Sequence, residues 1–448
     1  MSQTGCWSYP HWITVAGEVI EEMWIANQLC RWQCGIISLV LILATAVVCL
    51  AVPGSEVPVS LRLVQTINKA ELVSLEPFNS QGLLAVRAGD VVQLWDSRTG
   101  QLKLSLDGHG ILRTNFSSDG ATFITSSREK PAGLLTKLWD AQTGRLKITV
   151  SGLIIYGPTV NESGVAEIVT LMDRNELKFW NAETGELIKT VHAYKDTFSN
   201  SRISFDGRVV VRYGGKKGYL WETGTGRLIA ELKPPETRYV PYYTDLKLEG
   251  ATFSPDSRLV ATEDSMNNIE LWDTSTGRLR AVFEGHASTV YTLAFSRDGR
   301  WLASASRDGT ARIWDVQSGR LRVMLPAGKE IATRVIFNSD GTLLAVGYHT
   351  HARVWEVATR QLHATLAPHS DINKLVLFGT YWDGVGIRLS ADDRFLLTIG
   401  DKSVNVWTMH GSLHATLKGA RAPLALAPGD NFLATTGPNG SILVWAIQ

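Results

Sequence analysis

The organisation of this protein is clearest in the segment EGHASTVYTLAFSRDGRWLASASRDGTARIWD, which runs from Glu284 to Asp315. Short apolar runs in this segment are separated by the turn sequences SRDG and RDG, and the last run ends on Trp314-Asp315. Short runs bounded by Gly and Asp are typical of β-strands joined by tight turns, because glycine accepts the positive φ angles that such turns require. The segment therefore predicts consecutive antiparallel strands.

The tryptophan-containing run recurs along the rest of the chain. It reads QLWDSRTG at Gln93, ELWDTSTG at Glu270 and RIWDVQSG at Arg312, and its tryptophans lie at positions 95, 139, 180, 221, 272, 314, 355, 407 and 445. Each repeat contains four predicted strands. Because a single four-stranded sheet cannot bury both of its faces, the repeats predict sheets stacked around a common axis.

The unit from Glu284 to Asp315 resembles the WD40 repeat, through Gly285-His286, Asp298-Gly299 and Trp314-Asp315. The resemblance extends over about residues 58–448; it is strong in the units that end at Trp272 and Trp314 and degenerate in those that end at Trp180, Trp407 and Trp445. It implies an all-β, WD40-like β-propeller at residues 60–448, with strands a to d of each blade ordered from the axis outward. The repeats indicate nine blades, with eight or seven as the alternatives.

The two ends of the repeat region complement each other. The last unit reaches Gln448 without a fourth strand, whereas Leu61–Ile67 reads as a strand with no unit of its own. Pairing of this N-terminal strand with the C-terminal blade would complete the ring and leave no exposed sheet edge.

A different type of sequence precedes the repeats. Residues 35–52 read GIISLVLILATAVVCLAV and contain no charged residue. As a helix this stretch would be roughly 27 Å long, which is about enough to cross a bilayer core. We interpret it as a transmembrane helix, with an export signal, translated from Met23, and a buried helix as the alternatives. Residues 1–34 have no assigned structure and residues 53–59 are a linker; a single-pass protein with an extracytoplasmic propeller is slightly favoured.

Composition excludes several classes of protein. The 448 residues are 44% hydrophobic, which excludes a wholly disordered chain. Lys and Arg number 44 and Asp and Glu 43, so the chain carries no overall basic charge of the kind that binds nucleic acid, and no nucleic-acid partner is expected. The four cysteines all precede residue 50, which excludes a cysteine-based zinc site in the repeats.

Two repeats are longer than the others, and alignment places both insertions before strand a, in the loops that connect strand d of one blade to strand a of the next. WD40-like propellers carry these d–a loops on the same face as the b–c turns. The candidate partner-binding residues on this face are Arg238, Tyr239, Tyr242 and Tyr243 in the first insertion, Tyr381 and Trp382 in the second, and Arg307 on the rim. Aromatic residues and Arg are enriched in interface hot spots, although these rings could also pack on the protein's own loops and the cations could form a solvated rim.

His286, Ser306, Asp308 and Trp314 superficially resemble a hydrolase triad. The resemblance to WD40 repeats instead implies an internal hydrogen-bond network, with His369, Thr398, Asp401 and Trp407 as a looser copy. No nucleophile-elbow, phosphate-loop or metal-ligand motif is present, so we expect no cofactor and no metal. The sequence predicts a non-enzymatic scaffold that binds a protein or peptide. An enzyme or ligand sensor that uses the central channel, and a purely structural element, are the alternatives.

Overall fold

The computed structural model describes residues 61–447 except 73–76, 108–109, 118, 131, 161–165, 173–175, 193–199, 215–216, 224, 233–250, 265, 327–329, 349–350, 367–385, 391, 401, 428 and 430. The predicted transmembrane segment at 35–52, the rest of the N-terminal region and the long insertions therefore lie outside the described residues. Within the described part of the chain, no helix is both long enough and apolar enough to span a bilayer.

The described strands form nine antiparallel sheets, which we number as blades 1–9 in chain order. Strand β1 (Leu61–Ile67) precedes blade 1. Blade 1 contains β2 (Leu83–Ala88), β3 (Val91–Asp96) and β4 (Gln101–Asp107), with Glu71 and Phe78 forming isolated bridges to β2. Blade 2 contains β5 (Ile111–Phe116), β6 (Thr122–Glu129), β7 (Gly133–Asp140) and β8 (Leu146–Ser151). Blade 3 contains β9 (Leu153–Val160), β10 (Ala166–Leu171), β11 (Glu176–Asn181) and β12 (Leu187–His192).

The next three blades follow the same order. Blade 4 contains β13 (Asn200–Ile203), β14 (Val209–Gly214), β15 (Lys217–Glu222) and β16 (Leu228–Leu232). Blade 5 contains β17 (Thr252–Phe253), β18 (Leu259–Glu263), β19 (Ile269–Asp273) and β20 (Leu279–Phe283). Blade 6 contains β21 (Val290–Phe295), β22 (Trp301–Ser306), β23 (Thr310–Asp315) and β24 (Leu321–Pro326).

The last three blades complete the series. Blade 7 contains β25 (Ala332–Phe337), β26 (Leu343–Tyr348), β27 (Ala352–Glu356) and β28 (Leu362–Leu366). Blade 8 contains β29 (Gly386–Leu389), β30 (Phe395–Ile399), β31 (Ser403–Thr408) and β32 (Leu413–Lys418). Blade 9 contains β33 (Arg421–Leu426), β34 (Phe432–Thr436) and β35 (Ile442–Ile447), with a 3-10 turn at Pro438–Gly440.

The turn sequences set the lengths of these strands. In the a–b turn of blade 6, the Ser296 hydroxyl donates to Asp298 at 2.5 Å and accepts from the Trp301 amide at 2.9 Å. Gly299 has a φ of 72°, in the left-handed region that glycine tolerates best. The same side chains that mark a turn in the sequence therefore end one strand and start the next.

The repeat tryptophan coincides with a β-bulge in one blade after another. In blades 1–8 the register between strands c and d shifts at the tryptophan, so that one residue of strand d has no direct partner. In blade 6, Trp314 pairs with Leu321 and Ile313 pairs with Val323, which leaves Arg322 in the bulge. The bulge increases local twist and turns the unpaired side chain away from the regular pleat.

The core lies between neighbouring blades. Trp314 of blade 6 is 1% exposed and packs with Leu271 and Phe283 of blade 5. Clusters of the same kind join blades 1 and 2, 2 and 3, 4 and 5, 6 and 7, 7 and 8, 8 and 9, and 9 and 1. At these eight of the nine junctions, neighbouring sheets thus bury their facing surfaces against each other, as the repeat pattern predicts.

The ring is closed by the N-terminal strand. β1 pairs antiparallel with β35, from Leu61 opposite Ile447 to Ile67 opposite Ile442, and becomes the outer strand of blade 9. Ile67 is buried in the cluster shared by blades 9 and 1. The predicted all-β fold, the nine blades and the closure by Leu61–Ile67 are confirmed.

Candidate functional site

Blade 6 contains a buried chain of hydrogen bonds. The Trp314 Nε1–H donates to the Ser304 hydroxyl at 2.9 Å, and that hydroxyl lies 2.8 Å from Nε2 of His286. On the other side of the imidazole, Nδ1 lies 2.8 Å from Oδ2 of Asp308. These hydrogen bonds link the loop before strand a to strands b and c. The His286 side chain at their centre is 1% exposed and so is shielded from bulk water.

The charges of this network follow from its burial. Burial lowers the pKa of His286, against the opposing effect of the Asp308 carboxylate. Burial raises the pKa of Asp308, but hydrogen bonds from Thr310, His286 and the Ala287 amide outweigh it and hold that pKa at about 2. A neutral imidazole then donates Nδ1–H to the carboxylate and accepts from Ser304 through Nε2.

One residue that the sequence analysis placed in this network, Ser306, lies outside the link between His286 and Trp314. Ser306 hydrogen-bonds through its hydroxyl to the Ser288 carbonyl at 2.8 Å and accepts from the Asp308 amide at 3.1 Å. It does not lie between His286 and Trp314; Ser304 does, because it is two residues beyond Leu302, the cross-strand partner of Trp314. The Ser304 and Ser306 hydroxyls are buried, and the hydrogen bonds of the network tie strands b and c to the loop before strand a.

The link between tryptophan and hydroxyl extends to five other blades, of which the sequence analysis named only the pair Thr398 and Trp407. Trp139, Trp180, Trp272, Trp407 and Trp445 donate to Thr125, Thr170, Thr262, Thr398 and Thr435, over 2.8–3.2 Å. In every case the threonine lies two residues beyond the tryptophan's cross-strand partner. This spacing is visible in the sequence once the register is known. Of the looser copy in blade 8, Thr398 and Trp407 are brought together, whereas His369 and Asp401 lie outside the described residues.

The candidate interaction face carries the d–a loops and the b–c turns. Arg307, in the b–c turn of blade 6, is exposed, and its amide donates to the Thr289 carbonyl at 2.8 Å. The remaining candidate partner-binding residues, Arg238, Tyr239, Tyr242, Tyr243, Tyr381 and Trp382, lie outside the described residues. Their role stays a prediction.

The b–c connection of blade 2 is a lengthened hairpin. β6 and β7 pair as far as Glu129 opposite Gly133, and the Lys137 ammonium lies 2.7 Å from the Glu129 carboxylate. This contact, helped by the Ser127 hydroxyl, lowers the pKa of Glu129 despite its partial burial. These residues therefore extend the sheet, and they place exposed Lys130 near its tip.

A cavity of about 520 Å³ opens on the same face where blades 9, 1 and 2 meet. Lys69, Glu71, Arg87 and Asp90 contribute charged groups to its lining, together with Asn439 from the 3-10 turn of blade 9. Arg87 hydrogen-bonds to Glu71 and also donates to the Ile111 carbonyl at 3.3 Å. The cavity therefore presents polar groups of both signs. The cavity could not be found from the sequence, because its residues come from four separate connections and the strands beside them.

Comparisons with known proteins agree with this architecture. Residues 277–315, which include the hydrogen-bond network of blade 6, match the family described as WD domain, G-beta repeat. The C-terminal WD40 domain of Sif2 is 16% identical, with a TM-score of 0.55 over 87% of this chain and 98% of that one. The computationally designed protein Ika8 is 17% identical, with a TM-score of 0.53 over 85% of this chain and 97% of that one. The fold is a closed β-propeller.

The described residues therefore form a nine-bladed β-propeller, and its residues 277–315 match the WD40 repeat.

Proposed function

We propose that this protein is a membrane-tethered, non-enzymatic scaffold that binds a protein or peptide on the face formed by the d–a loops and the b–c turns. The observation that carries the proposal is the cavity between blades 9, 1 and 2. It is lined by Lys69 and Arg87 as well as Glu71 and Asp90, so it complements a polar chain that carries both donors and acceptors.

Two further features support this choice of face. The hairpin of blade 2 stays paired as far as Glu129 and Gly133 and carries exposed Lys130 near its tip, while Arg307 is exposed on blade 6. The sequence alignment predicts that both long insertions are d–a loops, and their aromatic residues are of the type that anchors interfaces. For the tether, the support is the uncharged apolar stretch at 35–52, whose length suits a bilayer.

Site-specific photo-crosslinking tests this function in native membranes. A photoreactive amino acid replaces Arg307 or Lys130 on the proposed face, and Arg297 or Gln317, which are also exposed, on the opposite turns. We expect adducts of the same mass from the first two positions and none from the two controls. Deletion of residues 235–244 and 371–383 should abolish these adducts and leave the unfolding temperature nearly unchanged, and deletion of 35–52 should release the chain from the membrane fraction. Adducts that persist after both loop deletions, or that form equally from the opposite turns, would contradict the assignment of the face.

A further inference from the structure

Two exposed imidazoles from neighbouring blades meet on the outer wall of the ring. Nε2 of His363, in β28 of blade 7, lies 3.0 Å from Nδ1 of His410, in the c–d turn of blade 8. The ring centroids are 5.1 Å apart, and the ring planes are inclined by 48°. Both side chains are exposed, so the pair is open to ions in solution.

The backbone holds both histidines in place. His363 occupies the bulge of strand d, because Trp355 pairs with Leu362 and Val354 pairs with Ala364. The c–d turn of blade 8 presses against this strand: Gly411 has a φ of 89°, and a Cβ on it would lie 2.7 Å from the Cβ of Ala364. The position of His410 is thus fixed by a close approach of two backbones, and little ordering remains when a ligand binds.

The same bulge position has a different use in other blades. Lys103, Lys147 and Arg280 occupy it in blades 1, 2 and 5, and each lies within 3.2–3.8 Å of the aspartate that follows its own blade's tryptophan. His363 instead reaches across to the next blade. The imidazole pair therefore differs from the ion pair that this position forms within blades 1, 2 and 5.

The separation of the two nitrogens suits a shared metal ion. Two imidazole nitrogens, each about 2.0–2.1 Å from one ion, are roughly 2.9 Å apart in a square-planar arrangement and roughly 3.3 Å apart in a tetrahedral one. The observed 3.0 Å lies between these values. Without metal, the two nitrogens share one proton in a hydrogen bond. A small tilt of the rings would direct the lone pairs of both nitrogens to one point, where a metal ion would replace that proton. Neutral imidazole is a preferred ligand of Zn²⁺, Ni²⁺ and Cu²⁺.

We propose that His363 and His410 form a two-histidine binding site for a divalent transition-metal ion, which links blades 7 and 8. Among the residues that the structure describes, no group of three or more His, Cys, Asp or Glu side chains is placed to hold a metal. With two protein ligands and water in the remaining positions, the site is one of modest affinity that fills as the metal concentration rises.

The sequence itself supplies a matched control. The segment LHATL occurs twice, at Leu362–Leu366 and at Leu413–Leu417, and His414 occupies in blade 8 the bulge that His363 occupies in blade 7. His414→Ala thus makes the same change in the same local sequence, one blade further on. In all variants of the full, untagged chain the four cysteines become serine, because thiolates also bind these metals.

The test is titration with Zn²⁺ and with Ni²⁺, followed by calorimetry and by the thermal unfolding temperature. We expect one equivalent to bind and the unfolding temperature to rise with metal concentration. His363→Ala and His410→Ala should each abolish both effects, whereas His414→Ala should retain them. Without metal, His363→Ala and His410→Ala should unfold at the temperature of the parent, because both replaced side chains are exposed. The proposal is overturned if the parent binds no metal, or if binding survives either His363→Ala or His410→Ala.

Discussion

Removal of residues 61–67 is expected to destabilise the propeller by about 5 kcal/mol or more, since it withdraws a whole strand from blade 9. The deletion removes the ladder between β1 and β35 and takes Ile67, which is 4% exposed, out of the core between blades 9 and 1. It also leaves β35 as an open edge, which can pair with another chain. We expect a lower midpoint of guanidinium unfolding, together with self-association detected by sedimentation.

The matched control is deletion of residues 54–60, which shortens the chain by the same length immediately before β1. This variant should unfold like the parent and remain unassociated. A synthetic peptide with the sequence LRLVQTI should partly restore stability to the 61–67 deletion, because the edge of β35 is its binding site. Equal stability of the two deletion variants would show that β1 does not close the ring.

The second large effect is expected for Asp308→Ala, at about 3 kcal/mol, because the buried imidazole of His286 loses its acceptor. Asp298→Ala is the matched control in the a–b turn of the same blade. Asp298 is exposed and accepts from Ser296 and the Arg300 amide, so its loss should cost about 1 kcal/mol. Urea unfolding of the parent and the two variants measures both differences.

The pH dependence of the Asp308→Ala effect has a definite sign. The pKa of Asp308 is about 2 in the folded protein and about 3.9 in an unfolded chain, so its stabilising contribution is present above pH 4 and is lost as the pH falls towards 2. The pKa of His286 is lowered, so the parent also loses stability as the pH falls below about 6.5, where the unfolded chain gains a proton. The gap in unfolding free energy between the parent and Asp308→Ala should therefore be widest above pH 5 and narrow towards pH 2. A gap that stays constant from pH 7 to pH 3 would contradict the charge states assigned to the network.

Much of the fold could be predicted because its determinants are local. The tryptophan of each repeat, its Gly-containing turns and the alternating runs are each contained within a few residues, and these are the features that set strand length and register. Closure by Leu61–Ile67 could be predicted too. The last repeat lacks its fourth strand, and the strand before the first repeat belongs to no repeat, so the two can complete one blade.

The candidate sites were harder to predict because they depend on register and on contacts between blades. Ser304 and Ser306 lie on the same strand, and only the pairing of Leu302 with Trp314 identifies which hydroxyl reaches the imidazole. The contact of His363 with His410 requires a bulge in blade 7 and a close approach of blade 8. The two histidines are 47 residues apart, and no sequence pattern at that separation indicates either feature. The cavity residues are likewise distant in sequence and adjacent only in the ring.

Closure of nine blades by β1 is tested most directly by a disulfide between cysteines placed at Thr66 and Leu443, which are cross-strand partners. In a full chain whose four native cysteines are serine, this pair should oxidise within one molecule, and mass spectrometry of a digest should find the two segments linked. Cysteines at Thr66 and Thr435 form the control: Thr435 is the partner of Leu443 on the next strand, so it lies two strands, or about 10 Å, from Thr66, beyond the reach of a disulfide. A linked Thr66–Leu443 pair with an unlinked control is the result that the closed ring predicts. Free thiols in the Thr66–Leu443 variant, or links only between separate molecules, would contradict it.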